Sequence, residues 1–260
     1  MWASTVSVPA ATRFVAPAGE TSGVLARQPG VSSHATSVGR KAPGPLEVRE
    51  GSMDTAFDLA AHRPWVVVVG GPNGAGKSTA AAEILRDVLG VADFVNADVI
   101  AAGLSGLDPD GAAVAAGRVM LTRLRELAAQ RADFAFEVTL ASRTFAPWLK
   151  VLRAGGYHVC LVYFWLASAD TAVARVRERQ RLGGHSVPEE TVRRRYARSV
   201  SNFLELYLPL ADSWAVYDNS GSIKPRAIAR ARPDRPSEII DGPTWQAIRS
   251  SAAPGTTPRG

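Results

Sequence analysis

The octapeptide Gly71-Pro72-Asn73-Gly74-Ala75-Gly76-Lys77-Ser78, directly after the apolar run Trp65-Val66-Val67-Val68-Val69, constrains this chain more than any other stretch. It fits G-x-x-x-x-G-K-[ST] at every position. A buried strand has to stop, turn tightly and start a helix here, and glycines let backbone amides close around an anion with no side chain in the way. Those amides and the helix N-terminus form a phosphate cradle over residues 71 to 79. Lys77 is expected to reach the β- and γ-phosphates of a nucleoside triphosphate, and Ser78 to offer its hydroxyl to Mg2+. Thr79, one place late, is the weaker ligand. The alanine-rich segment Ala80 to Leu89 supplies the helix that the motif requires.

Composition bounds the rest. Of residues 1 to 50, 28 are Ala, Ser, Thr, Pro or Gly, with no sustained periodicity. Such a segment buries too little apolar surface to offset chain entropy, so residues 1–53 read as a disordered leader. Its Ser and Arg content faintly resembles a transit peptide, and Met53 is an alternative start. No run of some 18 apolar residues is present, which excludes a transmembrane helix, and a secretory signal is not recognisable. The last forty residues carry six Pro and six Arg, although Glu238 to Asp241 and Trp245 to Ile248 hint at a final short element. The single Cys160 reads as a small core hydrophobe, and one thiol agrees with a reducing cytoplasm. A net charge of +6 suits anionic partners without choosing among nucleotide phosphates, nucleic acid and a membrane surface.

Between the ends, β-like runs alternate with helical patterns. Strands are expected at Trp65 to Val69, Phe94 to Asn96, Phe134 to Val138, His158 to Leu166 and Trp214 to Asp218. Helices are expected at Gly111 to Arg131 and Thr144 to Ala154, the second closed by Gly155-Gly156. In the first of these Ala113, Gly117, Met120, Leu121, Leu124, Leu127 and Ala128 make the core face, with Arg118, Thr122, Arg125 and Glu126 opposite. The pattern predicts an α/β fold with a parallel sheet of about five strands covered by helices on both faces. Ligands in such sheets bind beyond the carboxyl ends of the strands.

That edge is where chemistry is expected. Asp98 lies 21 residues after Lys77, at the end of the second strand, where a carboxylate can take a proton from a hydroxyl facing the γ-phosphate. Capping the next helix is its structural alternative. Glu137 ends a run too apolar for a surface strand, and a charge there needs a partner, which makes it a candidate for Mg2+ or for a substrate hydroxyl. Thr139 and Arg143 follow on the loop, Arg143 as a grip for an anionic substrate. Arg175 to Arg198 holds eight arginines broken by Gly183-Gly184-His185-Ser186-Val187-Pro188, which suggests two helices hinged as a lid. Arg175, Arg179 and Arg195 are its catalytic candidates, the other arginines being a solvated face. His185 is a candidate donor in that lid; without a second His or Cys nearby it is no metal ligand.

Taken in order, Gly-Pro-Asn-Gly-Ala-Gly-Lys-Ser-Thr at 71 to 79, Asn96-Ala97-Asp98, Phe136-Glu137-Val138-Thr139-Leu140 with Arg143, Gly183-Gly184-His185 with Pro188, and Arg194-Arg195-Tyr196 resemble the short zeta-toxin-like P-loop kinases. The resemblance covers about residues 64 to 220. It implies a P-loop NTPase fold of adenylate-kinase-like form with a helical, Arg-rich lid, and ATP with Mg2+ as phosphoryl donor. For the characterised zeta toxins it implies transfer to the 3′-hydroxyl of the amino sugar of UDP-N-acetylglucosamine, and an antitoxin protein as partner. By motif position Asp98 is then the base, Glu137, Thr139 and Arg143 meet the substrate, and Arg175 lies on the lid. Val138 stands where the family usually has Gly or Thr, and His185 where the larger toxins carry a lid arginine. The expected organisation is a kinase domain at 54–222 and a partly disordered extension at 223–260; the single thiol and the lack of a long apolar run add the expectation of a cytoplasmic protein with no membrane partner.

Three other readings share the phosphate loop. One is a kinase of the same fold acting on another metabolite or on a nucleic-acid 5′-hydroxyl. Another is an ABC-type or regulatory ATPase, to which Leu104-Ser105-Gly106 bears a fragmentary likeness, though no apolar strand ending Asp-Glu follows. The third is a nucleotide-dependent binding module without turnover, against which intact Lys77, Ser78, Asp98 and Glu137 argue. DNA binding as the main role lacks a reading helix and an aromatic stacking pattern.

Overall fold

The structure, a computed structural model, describes residues 64–251 apart from 84, 86–90, 107, 109–110, 183–186 and 222–223. In chain order the elements are β1 (Trp65–Gly70), α1 (Lys77–Glu83), β2 (Asp93–Val95), α2 (Ala97–Leu104), α3 (Ala113–Ala129), β3 (Phe134–Val138), α4 (Phe145–Ala154), β4 (His158–Trp165), α5 (Ala169–Arg181), α6 (Glu189–Asn202), β5 (Ser213–Asp218), β6 (Arg226–Arg232), β7 (Arg235–Ile239) and α7 (Gly242–Ser251). A π-helical turn at Phe203–Tyr207 and a 3-10 turn at Leu208–Leu210 extend α6.

All strands form one sheet in the order β2-β3-β1-β4-β5-β6-β7. The first five, β2 through β5, run parallel, at the segments the sequence pattern marks. Two further strands, β6 and β7, add antiparallel to β5, so the sheet has seven strands rather than about five. These two were hidden because Arg226–Arg232 and Arg235–Ile239 are rich in arginine and lie at an edge, where β7 is exposed throughout and no apolar run is required.

The central strands β1 and β4 are buried along their whole length, which explains why Trp65–Gly70 and His158–Trp165 read as continuous apolar runs. Alternation across the strand splits their side chains between two cores. Val66 and Val68 join Met120, Leu124 and Leu127 of α3, Leu149 and Leu152 of α4, and Phe203 on one face. Val67 and Val69 join Ala81 of α1, Val173 and Val176 of α5 and Val192 of α6 on the other. Both faces are therefore covered. The buried Cys160 is free and belongs to the second core, where burial pushes its thiol pKa up.

Two helix expectations shift. The long helix is shorter than Gly111 to Arg131, because Asp108 accepts from the Gly111 amide in a turn before α3 and Arg131 takes a left-handed φ of 52° after it. Its buried face is Ala116, Met120, Leu124 and Leu127. Ala113 is exposed and Gly117 and Leu121 are half-buried, so the helix is rotated from the expected face and turns Gly117 and Leu121 to an open cleft. The helix expected from Ala80 to Leu89 is described over Lys77–Glu83, and its last turns fall largely outside the described residues. The leader 1–53 and the hinge residues Gly183, Gly184, His185 and Ser186 also lie outside them.

Candidate active site

Residues 71 to 76 turn β1 into α1 through backbone conformations that most side chains resist. Gly71 has φ 147°, and a Cβ there would run into the Phe164 carbonyl oxygen; Gly76 has φ 73°, and a Cβ would stand 2.5 Å from Asn219 Nδ2. The Pro72 carbonyl accepts from the Ala75 amide at 3.2 Å and from Lys77 Nζ at 3.1 Å, which closes the loop on itself. Asn219, just past β5, donates to the Ala75 carbonyl at 2.8 Å and braces the loop from its far side.

Register then decides what stands beside this loop. Val69 pairs with Glu137, and Val95 pairs with Phe136, so Glu137 and Asn96 emerge together where β1 ends. Glu137 accepts from Ser78 Oγ at 2.7 Å and from Asn96 Nδ2 at 2.8 Å, and lies 3.7 Å from Lys77 Nζ. This half-buried carboxylate thus has three partners at the strand end. Burial lowers the Lys77 pKa, Glu137 and Asp98 oppose that shift, and Arg179 adds to it. Asn96 is buried and caps α2, its Oδ1 accepting from the Asp98 amide at 2.8 Å and from the Val99 amide at 3.4 Å. One amide side chain therefore ties the Glu137 carboxylate to the helix that carries Asp98.

Lys77, Asn96, Asp98 and Glu137 line a cleft of about 490 Å³ between the loop, α3 and α5–α6, with Ser78 just outside its wall. Of the residues singled out by sequence, Asn73, Gly74, Lys77, Asp98, Glu137 and Thr139 are in its wall, as are Arg179 and Arg195 from the two arginine-rich helices. Arg179 Nε and Nη2 are buried without a hydrogen-bond partner, as is Asn73 Oδ1. Thr79 is exposed on α1 outside the cleft wall.

Two arginines stand elsewhere. Arg175 packs beside Gly74 but donates to the carbonyls of Ser220 and Gly221 at 3.2 and 2.7 Å, so its guanidinium anchors the segment after β5. Arg143 is exposed in the turn before α4, where its charge acts on Tyr207, and it is not in the cleft wall. The turn itself is fixed: Leu140 holds a left-handed φ of 57°, Asn202 donates to its carbonyl at 2.8 Å, and Tyr207 donates to the Ser142 carbonyl at 2.5 Å. A strained non-glycine residue held from two sides is a feature of binding loops.

Sequence reasoning missed Asn96, Asn219 and Arg118 as site residues. Asn96 carried the helix-cap signal that was assigned to Asp98 alone. Asn219 had only its place after a parallel strand as a signal. Arg118 is on the exposed side of α3, as expected, and there it also lines the cleft.

Comparison with known proteins accords with this geometry. A curated relative, an uncharacterised protein of Haemophilus influenzae, is 29% identical over 126 residues, 48% of this chain and 88% of the relative. The crystal structure of the AvrRxo1-ORF1:AvrRxo1-ORF2 complex with sulphate ions is similar at a TM-score of 0.61 and 14% identity, covering 80% of this chain and 70% of that one. The corresponding complex with ATP gives 0.59 and 14% over the same shares. At such identities the likeness shows a shared fold. The family model of the AAA domain matches residues 66–200, more than half of the 260 residues, and the chain belongs to the AAA domain family.

Proposed function

We propose that this protein is an ATP-dependent kinase of the zeta-toxin type, transferring the γ-phosphoryl group of ATP to an acceptor hydroxyl, with the 3′-hydroxyl of UDP-N-acetylglucosamine as the first acceptor to test. The observation that carries the reading is Glu137, held among Lys77, Ser78 and Asn96 at the mouth of the phosphate loop, with Asp98 in the same cleft. A nucleotide-binding module needs the loop; it does not need a second carboxylate facing it. AvrRxo1-ORF1, which shares the fold, was solved with ATP, and ATP is the donor proposed here.

Each residue then has a task. The amides of residues 74 to 78 and Lys77 bind the β- and γ-phosphates, and the low-dielectric setting of Lys77 strengthens that contact. A hydroxyl beside a carboxylate is a hard-oxygen pair, and a pair of this kind with substrate phosphates suits Mg2+, so Ser78 and Glu137 are the residues that would hold it. The ion supplies charge neutralisation across the phosphates when bound. Asp98 takes the proton of the acceptor hydroxyl, the hydroxyl oxygen bonds to the γ-phosphorus, and the bond from that phosphorus to the β,γ-bridging oxygen breaks, leaving ADP. Arg179 and Arg195 face the transferring group from α5 and α6, and Thr139 orients the acceptor. Arg175 acts at one remove, through the segment after β5. The site lies within residues 54–222, the proposed kinase domain, and the extension 223–260 adds the sheet edge.

By the same resemblance an antitoxin partner is proposed, AvrRxo1-ORF1 being itself complexed with AvrRxo1-ORF2, and the single thiol supports a cytoplasmic location. Among the described residues no helix is long and apolar enough to cross a membrane. The test is label transfer from γ-labelled ATP with Mg2+ to a panel of sugar nucleotides, small polyols and 5′-hydroxyl oligonucleotides. Label on UDP-N-acetylglucosamine that disappears in Lys77→Ala supports the full reading. Label on another acceptor replaces the substrate alone, and release of free phosphate with the panel unlabelled points to an ATPase instead.

A further inference from the structure

Beside the cleft lies a second cavity of about 570 Å³, at the β2 edge of the sheet between β2, α2 and α3. The two share Asn96 and Arg118 in their walls. On α3, Val114, Gly117 and Leu121 line the first cavity, Val119, Thr122 and Arg123 line the second, and Arg118 lies on the ridge between them and lines both. Helical geometry accounts for this, since residues three and four apart share a face and 118 stands between the two sets. The second cavity's other arginine is occupied: Arg123 pairs with Asp93 at 2.9 Å and with Glu126 at 3.6 Å. Arg118 makes no ion pair among the described residues. Val95, Val99, Ile100 and Val119 supply apolar wall to the second cavity, and its two carboxylates, Asp93 and Glu126, are the ones paired with Arg123.

Resting on the kinase reading, we propose that the second cavity is a distal acceptor subsite and that Arg118 is the residue that reads acceptor charge there. The acceptor extends from a hydroxyl at Asp98, past Asn96, to a phosphate or carboxylate on Arg118, with its less polar body against Val99 and Val119. A guanidinium fork matches either oxyanion in two parallel hydrogen bonds, which makes the contact selective for an acceptor with a charged group over its neutral counterpart. Arg118 touches substrate remote from the reacting atoms, so it governs acceptor binding more than turnover.

The experiment uses the full chain saturated with Mg2+ and a non-hydrolysable ATP analogue, so that the phosphate loop is filled. Binding of N-acetylglucosamine 1-phosphate and of N-acetylglucosamine is then measured by calorimetry for wild type, Arg118→Ala, Arg118→Gln and Arg118→Lys. The subsite predicts a preference of about tenfold or more for the phosphorylated sugar in wild type, consistent with one charge-assisted contact. That preference disappears in Arg118→Ala and Arg118→Gln and is partly kept in Arg118→Lys. No preference in wild type, or the same preference in all four proteins, overturns the subsite, whatever the label-transfer result. A preference that depends on Arg118 in a protein that transfers no label to any acceptor upholds the subsite and overturns the kinase reading.

Discussion

Asn96 is the residue on which most of the site's geometry converges. Its Oδ1 caps the helix carrying Asp98 and its Nδ2 holds Glu137, so one substitution disturbs both carboxylates. Asn96→Ala is expected to lower stability by about 1 kcal/mol through the lost cap, measurable by denaturant unfolding. Asn96→Ser keeps a capping oxygen but is too short to reach Glu137, so it should recover most of the stability and little of the transfer rate. Equal recovery of both would mean that Asn96 serves the fold alone. Gly76 makes a second prediction, because its φ of 73° and its closeness to Asn219 leave no room for a Cβ. Gly76→Ala should cost roughly 1–2 kcal/mol and weaken ATP binding, with Asn219→Ala relieving the clash but not the backbone strain. At this scale the phosphate loop, Asp98 and Glu137 were legible, because glycines at this spacing ahead of Lys-Ser suit a phosphate cradle and an acid closing an apolar run has to find a partner. Arg175 and Arg143 were less so, since sequence shows that an arginine is near a site without showing which carbonyl or carboxylate its guanidinium meets.

Among the elements, α3 shows what periodicity can and cannot give. Its length and amphipathic character follow from spacing, but a helix flanked by a core on one side and a cleft on the next presents two apolar faces, and the expected face fell between them. Leu124, 1% exposed against β1 and β3, belongs to the core, and Leu124→Ala should cost about 2–5 kcal/mol. Leu121→Ala, at the cleft, should cost much less stability and instead change acceptor binding. The arginine-rich helices carry a pH-dependent tie. Glu189 bonds Arg193 within α6 and Arg177 across on α5, while Arg193 also reaches Asp170 of α5 at 2.7 Å. The hydrogen bond from Arg193, and then Arg177, hold the Glu189 carboxyl below its ordinary value of 4.5. A depressed carboxylate contributes stability above the ordinary value and loses it as pH falls through the folded one. Protection of the α5 and α6 amides, taken relative to the intrinsic exchange rate at each pH, should therefore fall below about pH 4.5, and Glu189→Gln should show the lower protection already at neutral pH.

At the scale of the whole molecule, the sheet continues past the strands that carry the site. β6 pairs with β5, Ile228 and Ile248 are fully buried, and Trp245 of α7 stacks on Trp214 of β5 with ring centroids 5.7 Å apart. A chain ending at residue 222 should leave the β5 edge and Trp214 uncovered, and it should aggregate or unfold at lower temperature than the full chain. The five parallel strands were readable because burial on both faces forces apolar runs. The antiparallel edge was not, because nothing forces an edge strand to be apolar. The proposed reaction joins the two halves of the site: the loop holds the donor and Asp98 activates the acceptor. The most direct test is to measure ATP affinity and single-turnover label transfer in the same preparations of wild type and Asp98→Asn. A general base predicts a fall in transfer of about 10²-fold or more with ATP affinity nearly unchanged, whereas transfer at the wild-type rate in Asp98→Asn would contradict it.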